Sequence, residues 1–226
     1  RDRSPSRGLG DVYKRQAYTD SKNQRYRINS FFTKGKLALV IRVINDEAVK
    51  LKDEFINKVI DEKILALKDG LVLISGITGS GKSTTLANII EKFNENKSIK
   101  ILTIEDPIEY IFENKKALII QRELGTDVES FEKALKSSLR QDPDVIVLGE
   151  IRDEESLFSA LKLAETGHLV FSTLHTMNTV ESINRLISMA RSDKRDFIRE
   201  QLASVLRFIL SQELYRDCLL YTSDAA

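Results

Sequence analysis

Gly76-Ile77-Thr78-Gly79-Ser80-Gly81-Lys82-Ser83 follows a short apolar run, Leu71–Ser75, and opens a stretch in which Leu86, Ile89, Ile90 and Phe93 recur at helical spacing. The pattern G-x-x-x-x-G-K-[ST] is met in full, between a strand and a helix as it must be. Glycines let successive backbone N–H groups turn inward around phosphate oxygens, and the helix that follows adds the positive end of its dipole. The expected cradle is Gly76, Thr78, Gly79, Ser80, Gly81, Lys82, Ser83 and Thr84. Lys82 would reach the β- and γ-phosphates of ATP, and the Ser83 hydroxyl would ligate Mg²⁺. The plainer alternative is a glycine-rich strand-to-helix turn with no ligand, which the complete context disfavours.

Working outward from this loop, strands and helices alternate. Leu71–Ser75, Ile99–Ile104, Val145–Leu148 and Leu169–Leu174 are short, nearly uniform apolar runs bounded by polar or glycine residues, as buried parallel strands should be. Leu157, Ala160, Leu161 and Ala164 form one helical stripe between them. Leu202, Val205, Leu206, Ile209 and Leu210 form another, read as a helix continuing to Leu214. The expected fold class is α/β: a P-loop core with a mostly parallel sheet and right-handed crossovers.

Two of these strands end in acids. Asp144-Val-Ile-Val-Leu-Gly-Glu150 leads to Glu150, which would stand beside the loop to hold Mg²⁺ or its water shell; Ile99–Ile104 leads to Glu105, Asp106 and Glu109. Ligands of open α/β sheets bind beyond the carboxyl ends of strands, so both acidic sets are expected at the γ-phosphate, and either could polarise the attacking water. The plainer reading of any one acid is a solvated turn. The chain has two histidines, flanking one strand. His175, at its carboxyl end, suits a phosphate sensor; for His168, at the other end, a structural hydrogen bond is an equal alternative.

Residues Gln24–Ile44 read as a β-hairpin turning at Thr33-Lys34-Gly35-Lys36. Its second run is apolar on both faces except at Arg42, as a buried strand would be, so Arg42 must find an anion or an ion pair, because an unpaired buried charge is expensive. Residues 1–20 and 216–226 show neither period and are expected to be non-native or disordered, with 46–50 as a linker between a domain remnant at 21–45 and a core at 51–215. Lys and Arg number 35 and Asp and Glu 34, for a net charge of +1, so no basic field or stripe draws in nucleic acid. With 42% hydrophobic and 31% charged residues the chain is globular, and its one cysteine leaves no internal disulfide.

GITGSGKS, TIEDPIEY, RQDPDVIVLGEIRD and ETGHLVFSTLHT resemble, in order and spacing, the Walker A, Asp box, Walker B and His box of the type II/type IV secretion ATPase superfamily. The resemblance covers roughly residues 21 to 215. Within it, Phe197–Leu214 is most similar to the type IV pilus retraction ATPases of the twitching-motility PilT family. That resemblance implies a cytoplasmic homo-hexameric motor at the inner face of the bacterial inner membrane. Each subunit would carry a PAS-like domain and a RecA-like ATPase domain, and a pilus inner-membrane platform protein would be the partner. Membrane contact would run only through partners. By position it makes Glu109 the catalytic acid, Glu150 the Walker B acid and His175 the His-box histidine. It places Arg25, Arg27 and Arg42 in PAS-like strands that border the nucleotide in this family. A guanidinium there would stabilise a phosphoryl-transfer transition state, which motivates Arg27 and Arg42 as catalytic candidates. Secretion or pilus-extension motors, and a nucleotide-gated binding subunit that does not hydrolyse ATP, are the alternative functions.

Overall fold

The strand leading to the glycine-rich loop, Gly70–Ser75, is buried along its whole length. The computed structural model describes residues 14–21, 24–44, 51 and 53–214. In chain order the elements are β1 (Lys14–Thr19), β2 (Arg25–Thr33), β3 (Lys36–Ile44), α1 (Glu54–Val59), which continues into a π-helical turn at Ile60–Ile64, β4 (Gly70–Ser75) and α2 (Lys82–Asn96). There follow β5 (Lys100–Glu105), β6 (Leu118–Glu123), α3 (Phe131–Ser138), β7 (Val145–Leu148), α4 (Glu154–Glu165), β8 (Leu169–Leu174), α5 (Thr179–Met189), α6 (Arg195–Val205) and β9 (Leu206–Ser211). Among the described residues there are two compact units. The smaller holds β1–β3 with Glu109–Ile111, and the larger holds the elements from α1 to β9.

In the smaller unit β1, β2 and β3 form an antiparallel sheet in that order. The expected hairpin is present: Thr33 pairs with Lys36, and Lys34 (φ 51°) and Gly35 (φ 74°) make the two-residue left-handed turn between them. The disordered leader expected through residue 20 extends too far. Lys14–Thr19 pairs with Arg25–Ser30, a partner that composition alone does not reveal. Arg42 also departs from expectation. It is exposed, as are Leu37, Leu39, Val40, Ile41 and Val43 at 53–62%. An apolar strand was read as a buried one, but β3 has a single neighbouring strand, β2, within its sheet, so Arg42 needs no anion to offset burial. The linker expected at 46–50 and the tail from 216 lie outside the described residues.

The larger unit is built on six strands in the order β6-β5-β7-β8-β4-β9, every pair parallel. Alternate residues of the central strands feed two cores. Leu71, Leu73, Ile146, Leu148 and Val170 pack with Leu157, Ala160 and Leu161 of α4 and with Leu186, Ile198 and Leu202 of α5 and α6. Val72, Ile74, Val145, Val147 and Phe171 pack on the other face with Leu86, Ile89, Ile90 and Phe93 of α2 and with Ile60 and Ile64. Uniform apolarity in the strands is therefore the signature of a sheet covered on both sides.

The helix expected over Phe197–Leu214 ends early. α6 stops at Val205, Leu206 turns to extended backbone (φ −69°, ψ 116°), and β9 pairs with β4 from Leu71↔Leu206 to Ser75↔Ser211. Leu-Arg-Phe-Ile-Leu-Ser fits a period of two as well as a helical one. The free backbone edge of β4 decides between them, because its N–H and C=O groups need partners.

Candidate nucleotide-binding site

The loop after β4 is held from several sides. Gly76 N–H donates to the Leu174 carbonyl at the end of β8 (3.3 Å), Ser80 N–H donates to Ile77 O (3.2 Å), and Thr85 N–H closes the first turn of α2 onto Gly81 O (3.0 Å). Gly79 (φ 82°) and Gly81 (φ 86°) take left-handed conformations that a side chain would strain. Lys82 is buried to 8% exposure, and its Nζ donates to Gly76 O (2.8 Å) and Ile77 O (3.0 Å).

The amino end of α2 is arranged differently from its neighbours. α3, α4 and α5 are capped by the side chains of Ser130, Asp153 and Asn178. α2 has glycine at its cap, no capping side chain and no acid in its first turn, so its leading N–H groups face outward without a carboxylate of their own. A Cβ on Gly79 would meet nothing within 4 Å, and Ser80 Oγ is buried with no hydrogen-bond partner. These features fit a phosphate chain. Ser83 is exposed on the first turn of α2. Among the described residues no cluster of three or more His, Cys, Asp or Glu could hold a metal alone. A hydroxyl and a carboxylate suit Mg²⁺, which is usually held by few protein ligands and completed by phosphates and water.

Two further predicted residues converge here. His175 follows β8, and its Nδ1 lies 3.4 Å from Lys82 Nζ and 3.5 Å from Thr78 Oγ1. Its Nε2 lies 3.4 Å from Glu150 Oε1. The imidazole thus stands between the loop lysine and the acid at the end of β7, at the outer limit of hydrogen bonding to each. Gly149 precedes Glu150 and is fixed on both sides: its N–H donates to Ile104 O (3.0 Å) and its carbonyl accepts from Thr173 Oγ1 (2.7 Å). Glu150 also accepts from Arg152 Nε (2.7 Å), and that hydrogen bond raises the guanidinium's pKa. Arg152 was not singled out from sequence, where it reads as an ordinary residue before a helix cap.

The remaining candidates have hydrogen-bond partners of their own. Glu105 accepts from Thr103 Oγ1 (2.6 Å) and Gln121 Nε2 (3.4 Å). Glu109 belongs to the smaller unit, where Arg27 Nη2 donates to its Oε1 (3.2 Å), and Arg27 stands across from Arg42 in the strand register. His168 takes the structural role: its Nδ1 lies 3.1 Å from Leu163 O and 3.0 Å from Thr166 Oγ1 at the end of α4. Sequence reasoning missed Ser211, which ends β9 against Ser75, and Gln212, the next residue, whose side chain reaches Ser80 of the loop. A helix assignment hid them, and no motif marks them.

The family model described as Type II/IV secretion system protein matches residues 14–223. A twitching motility protein of Neisseria gonorrhoeae is 45% identical over 192 residues, covering 85% of this chain and 51% of that protein. A type IV pilus retractation ATPase, PilT, of Pseudomonas aeruginosa PAO1 is 41% identical over 192 residues, covering 85% and 56%. The crystal structure of the pilus retraction motor PilT with bound ADP superposes with a TM-score of 0.79 at 40% identity, covering 89% of this chain and 59% of that one. The chain therefore spans roughly half to three-fifths of the length of these relatives, and its larger unit has their RecA-like P-loop fold. A six-stranded parallel sheet with a complete P-loop and a family match across nearly the whole chain together make this a member of the type II/IV secretion system protein family.

Proposed function

We propose that this chain is the ATP-hydrolysing part of a homo-hexameric motor subunit that powers type IV pilus retraction. The observation that carries the reading is the meeting of Lys82, His175 and Glu150 at the ends of three adjacent strands, β4, β8 and β7. The reading draws its biological task from relatives named for twitching motility and pilus retraction.

In this reading the outward N–H groups at the start of α2 bind the phosphates of ATP, and Lys82 exchanges its carbonyl partners for β- and γ-phosphate oxygens. Ser83 and Glu150 hold Mg²⁺, which would offset phosphate charge when bound with the nucleotide. Moving Lys82 alters one partner of His175 directly. The imidazole therefore reports γ-phosphate occupancy to Glu150 on its other side. Glu109 acts as the base that polarises the attacking water. That carboxylate is held in place by a hydrogen bond from Arg27 Nη2 (3.2 Å). Arg27 and Arg42 are the candidates for stabilising charge spread over the equatorial phosphate oxygens.

No helix among the described residues is long and apolar enough to cross a membrane. In the proposed reading the motor works in the cytoplasm against the inner membrane, which it reaches through a pilus platform protein. The test is steady-state ATP hydrolysis by the full-length protein. Glu109→Gln is expected to keep ATP binding and lose turnover by a factor of ~10² or more; near-zero rates in both wild type and variant would leave a nucleotide-gated binding subunit. A strain lacking the protein is expected to carry pili and fail to twitch, whereas loss of pili or of secretion would assign the work to extension or export.

A further inference from the structure

β9 lies on the side of β4 opposite β8, and the residue that follows it, Gln212, bonds both the end of β4 and the nucleotide loop. Gln212 N–H donates to Ser75 O (2.9 Å), and its side-chain Nε2 donates to Ser80 O (2.6 Å). The Ser211 hydroxyl lies 2.7 Å from Ser75 Oγ and 3.3 Å from Thr179 Oγ1, joining β4, β9 and the start of α5. The approach is close: a Cβ on Gly76 would fall 2.5 Å from the Gln212 carbonyl oxygen.

The bond to Ser80 O has a directional consequence. A trans peptide is planar, with its C=O and N–H pointing opposite ways. Holding the Ser80 carbonyl toward β9 therefore aims the Gly81 N–H the other way. Gly81, at φ 86°, is the residue whose backbone offers little resistance to rotation of that peptide. The amide of Gln212 is an odd choice for stability alone, because its Oε1 is buried with no hydrogen-bond partner and burying an unsatisfied oxygen is unfavourable. What the residue supplies is its donor.

We infer that Gln212 is a positioning residue of the nucleotide site, whose side-chain amide fixes the Ser80–Gly81 peptide so that the loop presents its N–H groups to the phosphates. Gln212 thereby couples phosphate binding to β9. The inference rests on the nucleotide-binding reading of the loop. It is tested by calorimetric titration of the full-length protein with ADP, alongside thermal melting. Gln212→Met and Gln212→Glu, which keep the side chain's length and lose the donor, are expected to weaken ADP binding about tenfold while melting within a few degrees of wild type. Gln212→Lys keeps a nitrogen donor and is expected to bind ADP within about threefold of wild type, whereas a tenfold loss there too would overturn the role of the donor. ADP affinities within twofold of wild type in both the Met and Glu variants would overturn the inference and leave the nucleotide reading intact. Wild-type protein that fails to bind ADP would overturn both. Amide exchange of the unmodified protein gives a check independent of any variant's folding: ADP should slow exchange at 206–212 as well as at 76–84. Unchanged exchange at 206–212 would overturn the coupling.

Discussion

Gly76 shows how tightly single residues are constrained at this site. A methyl there would collide with Ser80 Oγ and with the Gln212 carbonyl, and backbone on one side cannot give way cheaply. Gly76→Ala is expected to destabilise the protein by about 1–3 kcal/mol in urea unfolding and to weaken nucleotide binding. Arg27 stands in contrast. Its pair with Glu109 is partly exposed, at 24% and 40%, and such pairs contribute at most about 1 kcal/mol. Arg27→Ala should therefore fold and bind ATP normally while turnover falls; wild-type hydrolysis in that variant would remove Arg27 from the mechanism. That Lys82, His175 and Glu150 come together could be read from sequence because the carboxyl ends of parallel strands collect at one edge of the sheet. Arg42 could not be placed, since apolar neighbours along a strand do not say whether a second layer covers them.

At the scale of elements, α4 follows Glu150 directly and is started by Asp153. The Asp153 carboxylate accepts from Ser156 N–H (2.8 Å) and Ser156 Oγ (2.7 Å), and these bonds lower its pKa. A carboxyl whose folded-state pKa is depressed contributes stability above its unfolded pKa, near 4, and loses it as pH falls through the folded value. Asp153→Ala is expected to cost about 1 kcal/mol at neutral pH. Asp153→Asn, which caps without titrating, should cost less at neutral pH and flatten the acid limb of the stability curve. β9 carries the second expectation. Ile209 packs against the core on the α4–α6 side, so Ile209→Asp should cost on the order of 2–4 kcal/mol, measured by denaturant midpoint. The four strands read from sequence were uniform enough to admit one interpretation. β9 was not, because its six residues suit either period and only the edge of β4, distant in sequence, selects the strand. β1 escaped notice for the same reason: its pairing with β2 is tertiary information.

For the whole molecule, two units carry different parts of the proposed chemistry. The larger holds the P-loop, Glu150 and His175 around one sheet, and the smaller holds Arg27 with Glu109. If the intact protein works as a ring, hydrolysis per subunit should rise with protein concentration and plateau as the hexamer fills, which light scattering and turnover measured together would show. All of this depends on nucleotide binding at the loop between β4 and α2. The direct test is a calorimetric titration of the full-length protein with ATP in the presence of Mg²⁺, repeated on Lys82→Ala. The account predicts saturable binding at one nucleotide per chain, weakened about 100-fold or more in the variant. Absence of binding in the wild type, or equal affinity in Lys82→Ala, would contradict it.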